Sequence, residues 1–243
     1  MPPRLSVLLL AVIVAGLFAG SMLAAFHWTL TEPIIEQAIT LEEAHHAGEP
    51  HEAPVVSRRV QRVGLWIGFL VYGLCASIFF GSAYYITYGA LNLGNVVRTS
   101  LLLAALAWWS VTLLPSLKYP ANPPGVGLPE TVETRQKLYV GFLALSLGGL
   151  VGMLILRRFL RQRPRTKQWA DLVAFPLYFA YVVTLFLAFP SNADPVPLPV
   201  ELVSVFRLLS LAGLTLFWLV LGTAFGLLAY RAPSMQGPRD AAA

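Results

Sequence analysis

Six long apolar segments limit the folds that are open to this chain. Each reaches or approaches the roughly 20 apolar residues that a helix needs to cross the hydrocarbon core of a bilayer. They run from about Leu5 to Trp28, Val63 to Ile86, Val96 to Leu114, Leu138 to Leu156, Leu172 to Phe189 and Val203 to Tyr230. A transmembrane barrel would instead show alternating segments of about ten residues. The sequence therefore predicts an all-α, polytopic membrane helix bundle with about six spanning helices.

The composition agrees with a membrane protein that forms one domain over residues 1–243. The chain is 57% hydrophobic and 12% charged, and its mean hydropathy of +0.68 is well above that of ordinary soluble domains. Its net charge of +5 is small and scattered, which does not fit a nucleic-acid-binding protein. The single cysteine, Cys75, excludes an internal disulfide and a cysteine-cluster metal site. We expect the first segment to be a retained span, because no clear cleavage site follows it.

Basic residues between the fourth and fifth segments set the predicted orientation. Positions 157–167 hold six of the seventeen Lys and Arg residues. Short loops rich in these residues stay in the cytoplasm, so we expect the basic loop at residues 157–169 to be cytoplasmic. With six spans, both termini are then cytoplasmic, and the loops after the first, third and fifth segments face outward. Arg58, Arg59 and Arg62 are exceptions on the outer side, explained either by pairing with the acids before them or by a topology shifted by one span.

The outer loop at residues 29–62 concentrates side chains that bind metals. Between Glu32 and Glu52 lie six of the twelve acidic residues and three of the four histidines. Carboxylates and imidazoles are the usual ligands of borderline divalent metals. The candidate metal ligands are His27, Glu32, Glu36, Glu42, Glu43, His45, His46 and His51. Their spacing matches no closed zinc motif, so a weak, exchangeable metal site and a solvated acidic loop both fit the pattern.

The first half of this loop has the pattern of a short helix on the membrane surface. Thr31 suits the N-cap of such a helix, and Pro33 suits its first turn. Three acids share one face and three apolar residues share another: Glu32, Glu36 and Glu43 against Ile34, Ala38 and Leu41. This pattern predicts a helix with its polar side up, which ends near residues 48–50.

A second outer loop, at residues 115–136, is rich in proline. Three closely spaced prolines and two glycines between Lys118 and Gly127 predict a fixed, non-helical turn. Lys118 and Asn122 beside them favour a structured feature, which could be a plug, a gate or a contact with a partner.

Four segments carry a pair of glycines spaced four residues apart. The pairs are Gly16/Gly20, Gly64/Gly68, Gly148/Gly152 and Gly222/Gly226. Such pairs let helix backbones approach closely within lipid, so we expect them at contacts between spans.

Several catalytic patterns are missing from the sequence. It has no phosphate-binding loop of an ATPase, no paired zinc-protease histidines and no nucleophile elbow of a hydrolase. No acidic residue lies deep in an apolar segment, which argues against a carboxylate proton relay. The chain is therefore not expected to be an enzyme, and no cofactor is firmly implied.

Four stretches of the chain carry a family resemblance: residues 31–43, 56–62, 118–124 and 206–208. Together and in this order, they resemble the CbtA family, the predicted larger subunit of a cobalt transporter. The resemblance spans most of the chain, and the proline-rich loop is its most specific part. It implies a bacterial inner-membrane protein that is tied to cobalt supply for cobalamin synthesis. Members are usually described with five spans, so six in this chain would be a departure.

The resemblance also implies Co²⁺ as the transported ion and a small partner, CbtB, with a single span and a histidine-rich end. The main hypothesis is a transport subunit in which the outer acids and histidines attract Co²⁺ and His27 receives it. The alternative is a membrane scaffold or assembly protein that moves nothing and binds other proteins through its outer loops, with Lys118 to Gly127 as the contact.

Overall fold

A computed structural model describes residues 5–45, 56–88, 91, 93–192 and 194–230 of the chain. Within these ranges the structure is helical, without strands, and six helical segments are long and apolar enough to cross a membrane. The helices are α1 (Leu5–Phe26), α2 (Glu32–His45), α3 (Arg58–Thr87), α4 (Val96–Ala107), α5 (Leu114–Lys118), α6 (Val132–Gln162), α7 (Ala170–Ala188) and α8 (Val200–Tyr230). The prediction of an all-α bundle with six spanning helices is confirmed.

Two π-helical turns join short helices into longer ones. His27–Thr31 connects α1 to α2, and Trp108–Leu113 connects α4 to α5. A proline follows each turn by two residues, Pro33 in the first case and Pro115 in the second. Proline inside a helix lacks an N–H and its ring presses on the carbonyl four residues before, which here lies within the π turn. The wider π turn therefore lets the helix continue past the proline.

The prediction that Thr31 starts a separate surface helix was wrong. Thr31 lies inside the π turn, and α2 continues the first span. Ala38, on the predicted membrane-facing side of α2, is instead buried against Leu198 and Val203. The local cap signal was overridden because tertiary contacts hold α2 on the rest of the protein.

α1 and α8 form the centre of the bundle, with α3 and α4 packed on them. The main apolar cluster contains fully buried Leu23, Phe217 and Phe225. The pairs Gly16/Gly20 and Gly222/Gly226 make these contacts possible, as predicted. A Cβ at Gly20 would lie 2.5 Å from the carbonyl oxygen of Phe69, and one at Gly226 would lie 2.9 Å from the Cα of Val97.

The other two glycine pairs do not make contacts between spans in the described chain, contrary to expectation. A Cβ on Gly64, Gly68, Gly148 or Gly152 would meet nothing within 4 Å. The spacing of two glycines shows that a helix can be approached closely, but it does not show which helix faces another.

α6 and α7 form a second pair at the side of the bundle. Phe142 and Leu185 are buried between them and α5. The pair is tied to the second π turn by a hydrogen bond from Ser146 Oγ to the carbonyl of Ser110, at 2.7 Å.

The connections collect at two opposite ends. α2, residues 119–131 and residues 194–199 contact one another at one end, which we call the loop end. At the other end, Arg157 and Arg161 both bind the Asp171 carboxylate, at 2.7 and 2.5 Å. The helices also run past the apolar segments: α3 begins at Arg58 and α6 ends at Gln162, so part of each predicted loop is helical.

Candidate functional site

His27 lies in the first π turn, where α1, α3 and α8 meet. Its imidazole stacks on the ring of Phe69, with 4.9 Å between centroids, and Phe26 lies edge-on at 5.5 Å. On the α8 side, a Cβ at Gly213 would lie 2.7 Å from Nε2 of His27. His27 is only 8% exposed, so it is enclosed by packing and accepts a close neighbour only because that neighbour is glycine.

Thr31 is the polar partner of His27. Its Oγ1 is 2.9 Å from Nδ1 of His27, four residues before it, and Thr31 is itself buried. Thr31, predicted as a helix cap, therefore orients a buried imidazole instead. The second ring nitrogen of His27 points towards the backbone of α8.

Glu32 is the centre of a buried ion-pair group. Its Oε1 accepts one hydrogen bond from Nη2 of Arg58 and one from Nε of Arg62, both at 2.9 Å. Arg62 also pairs with Glu36, and its guanidinium lies 5.9 Å from the ring centre of Trp28. Of the two explanations for the outer arginines, pairing with the preceding acids is thus observed for Arg58 and Arg62.

This pairing limits how Glu32 and Glu36 could bind a metal. Glu32 is 6% exposed, and a buried carboxylate that loses its cationic partners is left with an uncompensated charge. A divalent ion at Glu32 would have to displace two guanidinium groups. The geometry therefore favours a structural role for Glu32, which links α2 to α3 through its ion pairs.

Glu42 and Glu43, near the end of α2, have no ion-pair partner in the described ranges. The Glu42 side chain lies over Gly125 of the proline-rich loop, where a Cβ would be 3.1 Å from its carboxyl carbon. Glu43 is exposed. Unlike that of Glu32, neither carboxylate is held by a cationic side chain in the described part of the chain.

The histidines of this loop are only partly covered by the structure. His45 is the last residue of α2, but its side chain, as well as His46 and His51, lies outside what is described. No group of three or more His, Cys, Asp or Glu side chains that could hold a metal is present in the described part of the chain. The structure therefore brings Glu32 and Glu36 together through Arg62, and separates them from Glu42 and Glu43 along α2.

The proline-rich loop has the fixed, non-helical form that its sequence predicts. Gly125 and Gly127 have φ angles of +78° and +98°, which favour glycine. The hydroxyl of Tyr119 donates to the carbonyl of Pro190 at 2.7 Å, and burial raises the pKa of Tyr119. The loop is thus bound to the neighbouring connection at the loop end.

Sequence reasoning did not find the polar links between distant spans. Trp108 Nε1 donates to Thr215 Oγ1 at 3.0 Å, and Trp218 Nε1 donates to Thr112 Oγ1 at 2.8 Å. Nothing in the spacing of these tryptophans predicts partners about a hundred residues away. They fix the second π turn to α8.

A family model described as probable cobalt transporter subunit (CbtA) matches residues 5–230. The match includes every helix from α1 to α8 and covers nearly the whole chain. No curated protein and no solved structure gives a significant match.

Proposed function

Because this chain belongs to the CbtA family of cobalt transporter subunits, we propose that it forms the membrane path of a Co²⁺ uptake transporter that supplies cobalamin synthesis. The observation that carries the proposal is the family match over residues 5–230. A subunit implies a further component, and we propose a small, CbtB-like, single-span protein with a histidine-rich end. We propose no enzymatic activity and no resident cofactor.

We place the protein in the bacterial inner membrane with both termini in the cytoplasm. Six spans return the chain to the side on which it starts. The basic loop at residues 157–169 favours the cytoplasmic side, since Lys and Arg are retained there. The loop end, with α2 and the proline-rich loop, then faces outward.

The proposed capture step uses the end of α2 and the segment after it. Glu42 and Glu43 are free of cationic partners among the described residues, and His45, His46 and His51 follow them in the sequence. The carbonyl end of a helix carries partial negative charge, which adds to the attraction for a cation. Ligands of this kind on a short stretch of chain suit weak, exchangeable binding of Co²⁺.

We propose that His27 is an intermediate binding site for the ion between the capture segment and the interior of the bundle. Its Nε2 side faces Gly213, so passage of an ion needs α1 and α8 to separate at this point. The π turn around His27 supports such a change, because π turns occur frequently at functional sites in helices. Glu32 and Glu36 are assigned to positioning α2 through Arg58 and Arg62, and would bind Co²⁺ only after those pairs open.

The proposal is tested by uptake of radioactive cobalt into cells that express this chain with and without its small partner. At limiting Co²⁺, we expect cells with both proteins to accumulate much more cobalt than cells with this chain alone. A chain that neither increases accumulation in cells nor binds or moves Co²⁺ in liposomes would be a scaffold instead.

A further inference from the structure

We propose that a cavity at the loop end binds an anion that carries a phosphate group. The cavity has a volume of about 760 Å³ and lies between the proline-rich loop, residues 191, 192, 194 and 196, the start of α6 and the part of α8 between Arg207 and Leu214. We call it the loop-end cavity. None of the eight candidate metal ligands lines it, so it is distinct from the proposed capture segment.

The loop-end cavity is lined by three cationic side chains and one acidic side chain: Lys118, Arg135, Arg207 and Asp194. Arg135 and Asp194 form an ion pair at 3.1 Å and therefore neutralise each other. Thr131 Oγ1 also donates to Asp194, at 2.6 Å, so the single carboxylate is already engaged. Two positive charges remain without an acidic partner among the described residues.

Lys118 and Arg207 carry these two charges. The ammonium of Lys118 donates to the backbone carbonyl of Phe186 at 2.9 Å. Nη2 of Arg207 donates to Oδ1 of Asn122 at 2.7 Å, whereas its buried Nε has no hydrogen-bond partner. Both side chains are half-buried, and a partly desolvated cation without a counter-charge is unfavourable. An anion in the cavity would supply the missing counter-charge to both Lys118 and Arg207.

The chemistry of the lining selects a phosphate group. Guanidinium groups bind phosphate through parallel hydrogen bonds, and lysine adds a point charge. Ser116, Ser191, Ser210 and Asn192 add neutral polar groups to the wall. The amide of Asn122 holds Arg207 in place, so the guanidinium is oriented before a ligand arrives. The same two charges repel free Co²⁺, so the inference does not depend on the proposed transport function.

Two sources could supply the phosphate group. Leu208 and Leu117, on the cavity wall, are 67% and 61% exposed, and they provide an apolar margin for the acyl chains of a phospholipid. A soluble phosphate compound would use the same cations without this margin. The shared chemistry is a phosphate group held by Arg207 and Lys118.

The test uses the full chain, purified in a neutral detergent and in lipid nanodiscs. Thermal unfolding is followed with inorganic phosphate in detergent, and in nanodiscs of phosphatidylcholine with or without phosphatidylglycerol. A rise in the unfolding temperature with phosphate in detergent identifies a soluble ligand. A rise only with phosphatidylglycerol identifies a lipid headgroup.

Arg207→Gln is the main variant, and Arg59→Gln is its control, since Arg59 is exposed near the loop end but does not line the cavity. We expect the probe to bind at least roughly tenfold more weakly to Arg207→Gln, and equally to Arg59→Gln and the unchanged protein. Lys118→Gln provides a second variant if Arg207→Gln does not fold. Equal binding to all variants, or no effect of either probe on the unchanged protein, would overturn the proposal.

Discussion

The carboxylate of Glu32 accepts a hydrogen bond from Nε of Arg62 at 2.9 Å, and this contact joins the extension of the first span to the start of α3. Both residues lie in the loop that the sequence marks for metal binding. The contact shows that acidic residues in this loop have two different roles. Glu32 stabilises the position of α2, whereas Glu42 and Glu43 have no cationic side chain as a partner in the described structure.

Glu32→Gln should lower the free energy of unfolding by about 2 kcal/mol, because two charge-assisted hydrogen bonds lose their charge and two arginines lose their counter-ion. Denaturation of the purified protein in detergent measures this change. Glu133→Gln is the matched control: its ion pair with Lys137 lies on an exposed helix surface, where we expect a change below about 0.5 kcal/mol. Similar losses of unfolding free energy for both variants would contradict the structural role of Glu32 in linking α2 to α3.

Gly20→Ala should destabilise the protein by about 1–3 kcal/mol, because the added Cβ would lie 2.5 Å from the carbonyl oxygen of Phe69 and force α1 away from α3. Gly64→Ala is the comparison, since nothing lies within 4 Å of its Cβ position. Alanine there should be neutral or stabilise the helix by up to about 1 kcal/mol. Denaturation midpoints in detergent distinguish the two, and an equal loss at Gly64 would show that this glycine also meets a neighbour.

The spans could be predicted from the sequence because apolar length alone decides whether a helix fits a bilayer. The rigid proline-rich loop could also be predicted, since proline and glycine act locally. The continuity of the first span through Pro33 could not, because Thr31 and Pro33 have the residue types of a helix start. What overrides this local signal is the π turn, the contact of Thr31 with His27, and the burial of Ala38.

The candidate site was predictable only as a set of residue types. Sequence placed Glu32 and Glu42 in one loop, but their separation into a paired and an unpaired carboxylate depends on Arg58 and Arg62, which pack from α3. The enclosure of His27 depends on Gly213, nearly two hundred residues away. The loop-end cavity has the same origin, since Lys118 and Arg207 come from different spans. Such pairings require the tertiary structure.

Replacing His45, His46 and His51 together by alanine should lower cobalt accumulation severalfold at limiting Co²⁺ and have little effect at high Co²⁺. Loss of weak capture ligands reduces apparent affinity without closing the path. Uptake of radioactive cobalt across a concentration series measures this. Glu130→Gln, at the loop end and outside the proposed capture segment, is the control and should behave as the unchanged protein. Uptake by the triple variant that is unchanged at every concentration would remove the histidines from the mechanism.

Gly213→Ala should destabilise the protein and reduce transport, because its Cβ would lie 2.7 Å from Nε2 of His27. We expect a loss of about 1–3 kcal/mol, typical of overpacking. His27→Ala removes the ring that the new methyl group meets, so Gly213→Ala should cost less in that background. Residues in contact give such non-additive changes, and a double-mutant cycle on denaturation midpoints measures them. Additive losses would mean that α8 does not press on His27. Cobalt uptake by Gly213→Ala, measured at a temperature where the variant is folded, then tests the proposed path. We expect reduced uptake while the capture segment still binds metal. Normal uptake would exclude passage of the ion beside His27.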